Sequence, residues 1–149
     1  MDKVKLEQLI NDCTDALETL ESVLLWGLKG DEEIENIEDP QEKAAAELSR
    51  DGVILRFEYT YELAWKLMKE VNNSLGVECT SPKECMRYAL KNDLINDAEK
   101  WFNYADNRNL IVHTYSRQNA KRISEKIADF AEDMGKLIDN AKRIVDKIL

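Results

Sequence analysis

Apolar residues return at three- and four-residue steps along nearly the whole chain. Leu6, Ile10, Cys13, Leu17, Leu20, Leu24 and Leu25 lay one apolar stripe on a first helix over about residues 3–28. Gly27 and Gly30 then loosen the chain, and GDEEIENIEDP reads as an acidic connector. Asp39 before Pro40 offers an N-cap followed by a proline at the first helical position, so a second helix starts there and runs to Leu75, where Gly76 stops it. Its inward stripe is Ile54, Phe57, Tyr61, Ala64, Trp65, Met68 and Val71, and Asp51-Gly52 is the place for a kink. Ser81-Pro82-Lys83-Glu84 combines a capping serine, a proline and a glutamate three residues after the cap, which opens a third helix over about 82–91. A fourth begins near Leu94 and turns Ile95, Ala98, Trp101, Phe102 and Ala105 inward. The last, about 117–148, repeats Ile123, Ile127, Phe130, Met134, Leu137, Ile138, Ala141, Ile144 and Val145. No strand-like alternation or hairpin signal competes with this plan. The expected fold is all-α, an antiparallel up-and-down bundle of four to five helices forming one domain over 1–149.

Composition agrees with that plan and narrows the function. Of 149 residues, 34% are charged and 44% apolar, with five Gly and two Pro, a helical rather than a turn-rich profile. No apolar run approaches the ~20 residues that span a bilayer, and MDKVKLEQLIND carries charges where a signal peptide would be apolar. The expectation is a cytoplasmic protein with no membrane partner. A formal net charge of -9 opposes nonspecific binding to phosphate backbones, although a local basic patch remains compatible with it. Cys13, Cys79 and Cys85 are odd in number, and the last two lack the close spacing of a metal or redox pair. They read as structural thiols, and neither a metal nor a cofactor is expected.

The chemistry concentrates in RNLIVHTY, Arg108 to Tyr115, which holds the only histidine. With the fourth helix continued through it, the inward stripe of Trp101, Val112, Ala105, Ala98 and Phe102 spans roughly 20° to 120° from Arg108 and encloses Asn109. Arg108 and Tyr115 flank that stripe on one side, His113 and Asp106 on the other. A buried amide must be hydrogen-bonded, and here it is flanked by guanidinium, imidazole, carboxylate and phenol. Such groups can lock helix register. They are also the parts of a phosphate site: a bidentate fork, a group that moves protons near neutrality, and a hydroxyl on a stacking ring.

Three ordered stretches, RFEYTYELAWKLMKE (Arg56 to Glu70), SPKECMRYALKNDLI (Ser81 to Ile95) and DNRNLIVHTY (Asp106 to Tyr115), resemble the nucleotidyltransferase substrate-binding protein family within the wider HEPN superfamily. The likeness covers about residues 50–130. It implies a small helical bundle, a homodimer, and a companion role beside a minimal nucleotidyltransferase whose nucleotide or small-molecule substrate it presents. It also implies an alternative, a metal-independent ribonuclease of a toxin–antitoxin pair acting on RNA, with Arg108, Asn109 and His113 as its signature. There His113 would move protons at the ribose 2′-hydroxyl and the leaving oxygen while Arg108 stabilised the phosphate. Tyr115 matches the position that a partner nucleotidyltransferase modifies with AMP in related pairs. One histidine per chain cannot serve as both acid and base, so catalysis would need two motifs facing each other across a twofold axis. Binding rather than catalysis alone is therefore the first expectation.

Glu58, Glu62 and Lys66 share one helix face at four-residue steps. They form either a solvated face or a pair of carboxylates that hold Arg108 in the groove. Trp65 and Trp101 read as core packing residues rather than stacking platforms.

Overall fold

The computed structural model describes residues 3–25, 28–110 and 117–148, with the side chains of 109, 110 and 117–120 excepted. Among these residues there are six helices: α1 (Lys3–Leu24), α2 (Asp31–Glu35), α3 (Pro40–Ser74), α4 (Pro82–Lys91), α5 (Ala98–Leu110) and α6 (Arg117–Ile148). The protein is an all-α bundle. α1 packs against both α3 and α6, while α4 bridges α3 and α5. The count exceeds the expected four to five because the acidic connector contains the short α2. Ile34 anchors it in the interior, and Asp31 reaches Arg50 of α3 at 2.5 Å.

The inward stripes predicted for α1, α3 and α6 are buried with few exceptions. Leu25 is solvent-exposed, and Leu24, Trp65 and Ile144 are half-buried. α3 is one continuous helix through Asp51-Gly52. One buried cluster draws on α1, α3, α4, α5 and α6. At its centre Phe130 of α6 meets Phe57, Trp101 and Tyr104 edge-on, with ring centroids 5.0, 5.7 and 5.4 Å away. Such T-shaped pairs add roughly 0.5–1.5 kcal/mol each beyond burial. Phe57 continues the row to Tyr61, 6.4 Å away on the next turn of α3.

Two helix ends are closed by the same backbone device. After α3, Gly76 takes a positive φ of 87°, Gly76 N–H donates to Asn73 O and Val77 N–H to Asn72 O. After α4, Asp93 takes φ 61°, its N–H donates to Leu90 O, and Leu94 N–H donates to Ala89 O. Both are Schellman closures, the second with Asp where Gly is usual. That closure is why α5 starts at Ala98 rather than near Leu94. Leu94 and Ile95 are still buried, and Asp97 accepts from Lys100 N–H at 3.2 Å at the new start. Ser81 caps α4 through its backbone, its carbonyl accepting from Cys85 N–H, and not through its side chain.

The cysteines depart from expectation. Cys79 and Cys85 form a disulfide with Cα atoms 5.3 Å apart, and Cys13 alone is a free thiol. The segment after α3 folds back onto the first turn of α4, so cysteines six residues apart meet. Asn72, fully buried, ties this corner together by donating to Cys85 O at 3.0 Å and accepting from Asn92 Nδ2 at 2.9 Å. Burial, then the nearby Asp12 carboxylate, pushes the Cys13 thiol up to about 12.

Candidate functional site around Arg108

α5 begins with an inward row of Trp101 and Tyr104, which are buried, while Ala98, Phe102 and Ala105 are half-buried. The stripe therefore centres closer to Arg108 than the apolar residues alone implied. Tyr104, which that apolar stripe did not include, carries it. Tyr104 is accepted there because its hydroxyl donates to Asp133 Oδ2 of α6 inside the protein. Burial first, then the bond to Asp133, drives its phenol well above the ordinary tyrosine range.

Arg108 extends this row by one turn beyond Tyr104 and emerges where α5 meets α3. Its Nη1 lies 2.5 Å from Glu62 Oε1, and its guanidinium sits over the Tyr61 ring, 5.5 Å from the centroid. The second oxygen of Glu62 accepts from Trp65 Nε1 at 2.9 Å. Glu62 thus holds two donors at once, and both its side chain and that of Arg108 keep about a third of their surface in solvent, 34% and 39%. Glu62 fixes the direction of the guanidinium, and among the described residues it is the one carboxylate that pairs with it. Burial pushes the Tyr61 hydroxyl up to about 12, with Arg108 acting in the opposite direction.

Of the other expected residues, Asp106 points away from this pair, to Lys83 of α4 at 2.8 Å. Phe102 lies beside it on that flank, near Lys83 and Arg87 at 5.9 and 5.4 Å from its ring. Glu58 is half-buried and forms no ion pair among the described residues. His113, Tyr115 and the side chain of Asn109 lie outside the described residues. The structure therefore joins Arg108 to Glu62, while Asp106 pairs with Lys83 and acts on the Tyr61 hydroxyl only through its charge. Tyr61 and Trp65, read from periodicity as core alone, both belong to the cluster. The signal was present: each lies within one turn of Glu62, on the face leading out of the core.

The matching family model, described as nucleotidyltransferase substrate binding protein like, covers residues 28–143. The chain belongs to this family. It is also 33% identical over 97 residues to a Haemophilus influenzae protein named as a probable ribonuclease HepT; the match covers 62% of this chain and 66% of that protein's length. A solved structure from Thermus thermophilus shares 30% identity with a TM-score of 0.66, over 87% of this chain and 98% of that one. A Haemophilus influenzae structure, described as revealing the fold of a substrate binding domain of a nucleotidyltransferase, shares 25% identity with a TM-score of 0.67, over 89% and 98%. Among the described residues, no helix is long and apolar enough to cross a membrane.

Proposed function

We propose that the protein is a cytoplasmic, homodimeric companion subunit of a minimal nucleotidyltransferase and holds that enzyme's nucleotide or small-molecule substrate in a polar groove containing Arg108. The carrying observation is the aimed guanidinium: Glu62 and Tyr61 position Arg108, yet much of it faces solvent. A fork held in advance loses less entropy on meeting a phosphate than a free surface arginine would. In this reading Asn109, His113 and Tyr115, which follow Arg108 in the sequence, and Asp106 and Glu58 would also contact the substrate. The nucleotidyltransferase partner follows from the family and from the relative described as such a domain.

A second reading is supported by the relative named as a probable ribonuclease. There Arg108 and His113 from two protomers would cleave RNA, and Tyr115 would accept AMP from the partner enzyme. The two readings separate in one experiment with purified protein, nucleotide and RNA. A companion binds nucleotide through Arg108 and yields no RNA product. A ribonuclease cleaves, and loses that cleavage in His113→Ala, because general acid–base catalysis contributes about 10²–10⁴-fold. Sedimentation at about twice 17.2 kDa supports the shared groove, and a concentration-independent monomer removes it.

A further inference from the structure

A cavity of about 210 Å³ opens at the corner where α3 hands over to α4. Lys69, Glu70, Asn73, Glu78 and Thr80 form its polar wall, and Cys79 lies in that wall beside them. It shares no residue with the Arg108 cluster and does not rest on the reading above.

The two sulfurs of the Cys79–Cys85 bridge are unequally placed. Cys79 keeps 2% of its surface exposed and lines the cavity, whereas Cys85 is fully buried and lines none of it. Asn72 Nδ2 donates to Cys79 Sγ at 3.9 Å, which holds that sulfur in place. A disulfide is opened when a thiolate reaches one of its sulfurs, and access decides which sulfur is struck. Access selects Cys79. The leaving group agrees, because attack there expels Cys85 in the first turn of α4, where the N-terminal end of the helix favours negative charge gathering on the departing sulfur.

We propose that Cys79 is a reversible thiolation site for a low-molecular-weight thiol that enters through this cavity. The incoming thiolate attacks Cys79 Sγ, the bond to Cys85 Sγ breaks, and Cys85 departs with the electron pair and takes up a proton. The incoming sulfur is oxidised and Cys85 is reduced, so the exchange uses no outside oxidant. A mixed disulfide remains on Cys79. A second thiol attacking that bond leaves both cysteines as thiols, while return attack by Cys85 restores the bridge and releases the first thiol. The α3–α4 corner is thereby opened and closed without unfolding the bundle.

Glutathione is the probe. The oxidised full chain is pulsed with it in native buffer, quenched with acid and mapped by mass spectrometry, beside Cys85→Ser and Cys79→Ser chains exposed to glutathione disulfide. One glutathionyl group is expected on Cys79 in the pulsed wild type and in Cys85→Ser. Cys85 in the Cys79→Ser chain should react about tenfold more slowly or less, and the buried Cys13 should stay unmodified throughout. If Cys85→Ser does not fold, the pulse on wild type carries the decision. A bridge that resists glutathione until urea unfolds the chain, an adduct on Cys85 as fast as on Cys79, or three free thiols in wild type after exposure to glutathione disulfide would overturn the proposal.

Discussion

Glu62 is the joint on which the candidate site turns, and a double-mutant cycle measures what it does. Glu62→Gln removes the charge while leaving an amide oxygen to accept from Trp65 Nε1, and Arg108→Met removes the guanidinium while keeping an apolar stem on Tyr61. At 2.5 Å the bare attraction in a medium of effective dielectric 20 is roughly 6–7 kcal/mol. With both side chains about one-third exposed, most of that is cancelled by lost hydration and by screening. The expected coupling is about 0.5–1 kcal/mol at low salt, seen as a thermal midpoint roughly 2–4 °C lower per kcal/mol of lost stability in a chain of this size. At about 0.5 M salt the coupling should shrink by half or more. Urea titrations of wild type, both single variants and the double variant supply the cycle. A coupling indistinguishable from zero at low salt would mean that Glu62 does not hold Arg108, and the preorganised fork would go with it.

Three further outcomes follow from the packing. Tyr61, pushed to about 12 and ordinary when unfolded, keeps its proton between pH 10 and 12 only in the native state. Its contribution, on the order of 2 kcal/mol, is full below pH 10 and lost as pH rises toward 12, which denaturant midpoints against pH would show; an unchanged midpoint across that window contradicts it. Trp101→Ala should cost about 3–5 kcal/mol, and Trp65→Ala, half-buried, less, about 2 kcal/mol; equal midpoints in thermal melts would place the two in the same environment. Reducing the Cys79–Cys85 disulfide opens a short loop and should cost about 2 kcal/mol, read as a lower melting point with reductant that Cys79→Ser reproduces; a melt indifferent to reductant would remove the bond.

The bundle was legible because apolar side chains repeat at helical spacing and because Pro40, Gly76 and Ser81-Pro82 punctuate the chain. What stayed hidden depended on groups that meet only after folding. Tyr104 was not part of the apolar stripe, and its burial depends on Asp133, 29 positions later, accepting its hydroxyl. Cys79 and Cys85 look unpaired until the α3–α4 turn doubles back. Leu94 looks like the start of a helix because it follows Asn92-Asp93 and opens an apolar run, while Asp93 at positive φ sets it in a turn instead. At the site, Glu62 and Arg108 were foreseeable as one of two alternatives. The i,i+4 step that puts Glu62 beside Lys66 cannot tell a solvated face from one that meets α5.

The most direct test is a calorimetric titration of nucleoside triphosphate into purified wild type, Arg108→Lys and His113→Ala. Saturable binding by wild type, weakened at least tenfold in Arg108→Lys because a point charge cannot reproduce the planar fork, and largely kept in His113→Ala, is the predicted result. No saturable binding by wild type, or binding indifferent to Arg108→Lys, would contradict the assignment of this groove to a nucleotide-holding companion.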